Sequence, residues 1–294
     1  MTLNRGGQSH PAVSAALCRQ WAQRTLQSFN HAKIGEALGA EDRAGVAILK
    51  TRTIRNRSEL IAHFNQDAAA YAEAHGDAAR LLEYRLQLIL RCCEGRSGVL
   101  LEIGCGTAVH LATLAPAYSR VIGTDISSRM LDAAWRRVQT SPYRDRIELR
   151  VDPAEELGTI DDASVDVVLC VGALEHMLDR VQVVRQVSRV LKAAGVFVLL
   201  TPNGGYCWYT LLAPLLGRSI HHLSTDWFLN NREIASLLQS VGLRLIDRDY
   251  WTFIPKGDMP RWTGVVLEAL DRLGRVCRLG AFRGGLIFAA VRGV

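Results

Sequence analysis

Short apolar segments alternate along the middle of the chain with stretches of helical spacing. Residues 99–103 (VLLEI), 121–125 (VIGTD), 146–151 (RIELRV), 166–171 (DVVLCV) and 196–201 (VFVLLT) are short and rich in Val, Ile and Leu. Runs of that length and make-up read as strands buried on both faces. Between them the apolar positions recur every three or four residues. In DRVQVVRQVSRVLKAAG, Asp179 can cap the start, Val184, Val187, Val190 and Leu191 line one face, and Gly195 ends the helix. Residues 61–95 also read as helical, with Leu81, Tyr84 and Leu88 on one face and Leu82, Leu86 and Ile89 beside it. Buried strands that alternate with helices predict a doubly wound, mostly parallel α/β sheet.

The C-terminal part breaks the alternation. NREIASLLQS reads as a helix stopped at Gly242 and followed by a strand; a long connection then leads to GGLIFAAVRG. This last strand has no helix after it and is expected to turn back antiparallel against its neighbour. Residues 1–60 show weak periodicity and a basic cluster at Lys50, Arg52, Arg55 and Arg57, and read as a partly helical N-terminal extension.

Composition narrows the class. Of 294 residues, 49% are hydrophobic and 22% charged, which supports a sizeable core and argues against wholesale disorder. The net charge of +6 is uneven: residues 1–60 carry nine Lys or Arg against four acids, and residues 202–294 carry eleven against seven. Basic flanks suit nucleic acid, anionic lipid or acidic substrates, and equally a solvated surface. The seven cysteines are odd in number and form no C-x-x-C pair, so neither a disulfide framework nor a zinc site is expected, and a reducing cytoplasm fits. No secretory signal is read at the N-terminus, and no apolar run approaches the roughly 18 residues of a membrane span.

The candidate chemistry starts at GVLLEIGCGTAV, residues 98–109, where a strand runs into Gly104 and Gly106. A dinucleotide fingerprint needs a third glycine where Val109 stands, and no P-loop is present. Asp125 ends the second strand, 19 residues after Gly106, where a carboxylate can accept from ribose hydroxyls; an Asp there can also cap a helix. Asp152, after the third strand, can accept from an adenine amino group or form a turn with Pro153. Glu102 lies inside the first strand, where a buried acid needs a partner. A cationic ligand group is one candidate, and nearby backbone amides are another.

Glycines and acids at three consecutive strand ends describe an adenosine bound across the carboxyl edge of the sheet. This pattern resembles the class I S-adenosylmethionine-dependent methyltransferases. LLEIGCGTAV is similar to their first motif, VIGTDIS to the second, and VDPAEELGTIDDASVDVVLCVGALEHM to the third and fourth; VLKAAGVFVLLTPN matches the stretch that closes the core. The likeness runs over about residues 61–250. It implies a seven-stranded, mostly parallel sheet with an antiparallel last strand in a domain spanning 61–294, and S-adenosylmethionine as the cofactor. The implied cofactor-binding residues are Tyr71, Glu102, Gly104, Cys105, Gly106, Asp125, Ile126, Asp152, Pro153, Ala154 and Val171. The family commonly shows G-x-G-x-G, and this chain carries Ala108 at the last glycine.

His176, in ALEHM after the fourth strand, is the candidate general base, because an imidazole suits proton removal near neutrality. Local hydrogen bonding or packing over the cofactor is the alternative. His221 and His222, with Asp226 nearby, are adjacent and point in different directions, so no metal site is expected there; His110 reads as structural. Residues 204–230 lie where the family roofs its acceptor. They carry Tyr206, Trp208, Tyr209, Leu211, Leu212, Leu215, Leu216, Trp227 and Phe228. Such a lid suits a hydrophobic small-molecule acceptor or shallow seating on a membrane, and equally a small helical cap packing on its own core; the chain is similar to the branch that includes quinone-biosynthesis methyltransferases. The expected reaction is methyl transfer to a small molecule, at a hydroxyl, by a cytoplasmic enzyme with peripheral membrane contact and no specific nucleic acid. The rivals are an RNA methyltransferase and a non-catalytic cofactor-binding assembly factor.

Overall fold

The computed structural model describes residues 51–68, 78–93, 95–215, 217, 221, 223–252 and 261–293. One sheet organises them. Its strands are β1 (Val99–Ile103), β2 (Arg120–Asp125), β3 (Ile147–Val151), β4 (Val165–Val171), β5 (Leu191–Pro202), β6 (Leu243–Trp251) and β7 (Gly285–Arg292). They lie in the order β3-β2-β1-β4-β5-β7-β6. The first five run parallel, and β7 enters antiparallel between β5 and β6. The expected doubly wound sheet with an antiparallel last strand is therefore present.

The helices follow from caps and apolar faces. They are α1 (Arg57–Asp67), α2 (Ala78–Cys92), α3 (Val109–Leu114), α4 (Ser128–Val138), α5 (Arg180–Val190), α6 (Asn231–Ser240) and α7 (Arg261–Val276). Asp179 caps α5 by accepting from the Gln182 amide, and Asn230 opens α6 with a reciprocal capping box to Glu233. The two faces of the sheet carry separate cores. One gathers Leu86, Ile89, Leu111 and Val138, the other Val184, Val187, Ile234 and Leu238. The order reverses between β1 and β4, which opens a crevice at the carboxyl ends of these strands.

One expectation is corrected. Gly195 does not end α5. The helix stops at Val190, and Leu191 is already extended and paired with Val165. Ala194 then takes φ 60°. A side chain at Gly195 would meet the carbonyls of Lys192 at 2.9 Å and Val165 at 3.2 Å, so the glycine serves a close approach of β4. The long connection before the last strand contains α7.

Residues 51–68 fold onto the rest of the domain, and α1 runs through residue 60. Ile54 and Leu60 are buried with Leu223, and Arg52 forms a parallel bridge to Leu223. The Asn65 side-chain oxygen accepts from Ser127 Oγ at 2.7 Å, at the start of α4. Truncating Leu60 to alanine is expected to cost about 2–3 kcal/mol, the usual loss for a buried leucine. The loss should fall on the docking of α1, read as faster amide exchange in 54–67 with the sheet still protected.

Candidate active site

The turn after β1 is held open by backbone geometry. Gly104 and Gly106 take φ 63° and 52°, and Ala108 takes φ 57°, ψ 33°. Ala108 thus keeps the left-handed conformation that glycine adopts freely, at a cost of about 1 kcal/mol. Restoring glycine there is expected to leave the fold intact and raise stability by up to about 1 kcal/mol, since the relieved strain outweighs the extra freedom of the unfolded chain. A thermal melt of Ala108→Gly checks this.

Asp125 ties this turn to the next. Its Oδ2 accepts from the Gly106 amide and its Oδ1 from the Ser127 amide, both at 2.9 Å. Ser127 is the N-cap of α4, accepting from the Met130 amide, so Asp125 is not the helix cap. Burial raises the Asp125 carboxyl above the usual range, the two amides oppose this, and the Glu102 charge adds to the rise. Each carboxylate oxygen has a second lone pair, which could accept from a ribose hydroxyl.

Asp152 shapes its own loop. Its Oδ1 accepts from the Gly158 amide at 3.1 Å, and its Oδ2 accepts from the Thr159 amide and hydroxyl at 2.8 and 2.6 Å. Asp152 thereby braces the 152–159 loop, and one lone pair on Oδ1 remains for an amino donor. Ile126, Pro153 and Ala154 follow β2 and β3, and Val171 ends β4, so these residues meet Gly104, Cys105 and Gly106 along one edge of the sheet. Cys105 is buried, which pushes its thiol well up and leaves it unreactive. Tyr71 lies outside the described residues.

Glu102 has a protein partner. Its Oε1 lies 2.7 Å from His110 Nδ1, with both side chains buried. Glu102 Oε2 and His110 Nε2 are buried with no hydrogen-bond partner among the described residues. Such orphans are costly in a native interior and mark where a ligand donor could complete the set. This unmet polarity behind the glycine turn, with the Asp125 lone pairs, fits a nucleoside that carries an amino acid.

A second cluster stands at the end of β4. His176 Nδ1 lies 2.7 Å from Asp226 Oδ1, and the Asp226 side chain is fully buried. Asp226 Oδ2 accepts from the Leu223 amide at 2.9 Å, and the Trp227 amide donates to the Glu175 carbonyl at 3.0 Å. Arg180 donates to the carbonyls of Glu175 and Thr225, both at 2.8 Å. The His176 turn and the lid are thereby locked together, and the Phe64 ring meets His176 edge-on at 5.8 Å. Burial pulls the imidazole down, but Asp226 and Glu175 more than offset this, and its pKa lies above the ordinary value. Sequence reading placed Asp226 near His221 and missed this pair, because the two residues stand 50 positions apart. The acid inside the apolar run TDWF was the available signal.

A cavity of about 310 Å³ opens beside Asp226, lined by Gly204, Tyr209, Thr210, His221, Trp227 and Phe228. Tyr209 and Phe228 pack at 4.8 Å, and His221 stacks on Phe228 at 5.2 Å. His222 lies outside the described residues, and among the described residues no cluster of His, Cys, Asp or Glu could hold a metal. A side chain on Gly204 would overlap the Phe228 carbonyl, so Gly204→Ala must push the 227–229 segment. It is expected to cost about 1–3 kcal/mol, the range for overpacking, and to weaken acceptor binding more than cofactor binding. Parallel titrations of the two ligands read the difference.

A reversed strand order, a left-handed glycine turn and acids at successive strand ends define the Rossmann-like fold of the class I methyltransferases. Comparison with known proteins agrees. Residues 101–199 match a family model described as a methyltransferase domain. The ubiquinone/menaquinone biosynthesis C-methyltransferase UbiE of Geotalea uraniireducens (strain Rf4) is 32% identical over 175 residues, covering 53% of this chain and 73% of that protein. The ubiquinone biosynthesis O-methyltransferase of Xanthomonas axonopodis pv. citri (strain 306) is 26% identical over 170 residues, with 55% and 70% covered. Among solved structures, the [4+2]-cyclase SpnF superposes with a TM-score of 0.60 at 15% identity, over 83% of this chain and all of that one, and shows the fold alone. The chain belongs to the class I S-adenosylmethionine-dependent methyltransferases that act on small molecules. Its cofactor is S-adenosylmethionine.

Proposed function

We propose that this methyltransferase acts on a hydroxyl of a hydrophobic small molecule, with His176 as the general base. The observation that carries the reading is the pairing of His176, which is partly exposed, with the buried Asp226, a residue that itself lines an aromatic cavity. Asp226 keeps the proton of His176 on Nδ1, so Nε2 is free to accept a proton from the acceptor hydroxyl. Tyr209, Trp227 and Phe228 hold an apolar ring and exclude water, which fixes the oxygen in line with the methyl group. When bound, S-adenosylmethionine supplies an electrophilic methyl group and leaves as S-adenosylhomocysteine. On the cofactor side, Asp125 accepts from the ribose hydroxyls and Asp152 Oδ1 from the adenine amino group. Glu102 Oε2 takes the ammonium of the methionine moiety. Gly104, Cys105, Gly106, Ile126, Pro153, Ala154 and Val171 line the adenosine.

The apolar lid and the quinone-biosynthesis relatives together support an acceptor with a lipophilic tail, used by a cytoplasmic enzyme at the membrane surface. The test is transfer of a labelled methyl group to phenols bearing tails of graded length, with matched anilines and carboxylic acids. Methyl ethers should form, with kcat/KM rising with tail length. Methylation only at nitrogen, only on RNA, or nowhere despite tight cofactor binding would overturn the reading. Ring-methylated products would keep the base and move the acceptor atom to carbon.

A further inference from the structure

Helix α7 has two apolar faces. On the inner one, Leu267 is buried with Tyr206, Trp208, Tyr209 and Ala213 of the lid. On the outer one, Val265, Val266, Ala269, Leu273 and Val276 are exposed. At 3.6 residues per turn these five fall within an arc of about 100°. Val265 is 67% exposed and Val276 78%, values that a folded monomer rarely gathers in one stripe. Leu279, just past the helix, is exposed too, as are Leu211 and Leu215 on the lid that α7 supports.

Charge borders the stripe. Along the described outer part of the helix and just past it stand Arg272, Arg275 and Arg278 against the single exposed acid Glu268, while Arg283 is buried. Asp271 is buried and already paired with Arg283 and Arg275. Arg272 and Arg278 are exposed and have no ionic partner among the described residues. A valine and leucine stripe edged by arginines is the pattern of a helix lying in a membrane interface. A second copy on the same face would bring arginines towards arginines. Residues 1–50, with six basic residues against three acids, would do the same.

We propose that the outer face of α7 docks the enzyme on a bilayer of anionic lipid. The apolar stripe enters the acyl boundary, and Arg272 and Arg278 meet the headgroups. The inner face of the same helix joins the buried cluster that includes Tyr209, which lines the aromatic cavity, so docking sets that cavity beside the lipid phase. The geometry stands on α7 alone; only its use rests on the lipophilic-acceptor reading.

Co-sedimentation with vesicles tests the surface without any methyl transfer, so failure here and failure of the acceptor reading are distinguishable. The probes are vesicles of phosphatidylcholine alone and of phosphatidylcholine with phosphatidylglycerol. Wild type is expected to bind the mixed vesicles, to bind neutral ones far less, and to be released by high salt. Arg272→Ala with Arg278→Ala should weaken partitioning about 25-fold, from roughly fivefold per arginine. Leu273→Ser with Val276→Ser should weaken it by at least about tenfold, with S-adenosylhomocysteine binding and the thermal melt unchanged because both side chains are exposed. Wild type that ignores vesicles, or variants that bind undiminished, would overturn the proposal. So would sedimentation velocity showing a wild-type dimer that the serine variant splits, which would give the face to a second copy.

Discussion

Replacing Asp125 by alanine is expected to raise the dissociation constant for S-adenosylhomocysteine at least about 100-fold. The carboxylate organises the Gly106 and Ser127 amides from a buried position, and in the proposed binding mode its remaining lone pairs accept from the ribose. Hydrogen bonds to a charged group are worth about 1.5–3 kcal/mol each, and two lost together exceed the roughly 2.7 kcal/mol that a factor of 100 requires. Asp125→Asn keeps the shape but offers one acceptor oxygen, and should fall between the two. The pH dependence has a definite sign. Burial holds the Asp125 carboxyl above its usual value, so the protonated form appears at higher pH than for a free carboxyl. Affinity is full above that raised value and declines as pH falls through it. Calorimetric titration of both variants at several pH values reads the affinity and its slope.

The second large effect falls on turnover. His176→Ala should lower kcat for a hydroxyl acceptor by about 10²–10⁴, the contribution of a positioned general base, while leaving the affinity for S-adenosylhomocysteine within about threefold. A residue that merely packed over the cofactor would move the affinity instead. Asp226→Asn should also lower kcat, by less, because the imidazole stays in place but loses the carboxylate that fixes its tautomer and favours its protonated form. That variant must still satisfy the Leu223 amide, which the asparagine oxygen can do, so its fold should hold.

How much of this was legible beforehand depends on how local each feature is. The strand at 99–103 and the acid at 125 could be placed because valine and isoleucine runs and strand-end acids act over a few residues. The His176–Asp226 pair was not legible, because it forms only when the lid folds back over the end of β4. Helix α7 was hidden for a different reason. Gly264 and Gly274 weaken its helical signal, and apolar residues on two opposed faces blur the single stripe that marks a surface helix. Glu102 was legible as a buried acid in need of a partner, but His110 stands eight residues away on the next helix and only the folded turn brings the two together.

Everything turns on whether His176 acts as a base held by Asp226. The direct test is kcat/KM against pH for wild type and Asp226→Asn, using the best hydroxyl acceptor. Wild type should lose activity as pH falls, along a limb lying above the ordinary imidazole value of about 6.5. In the asparagine variant that limb should move to lower pH as the plateau drops. A flat profile, or a limb that stays put when Asp226 is replaced, would contradict the account.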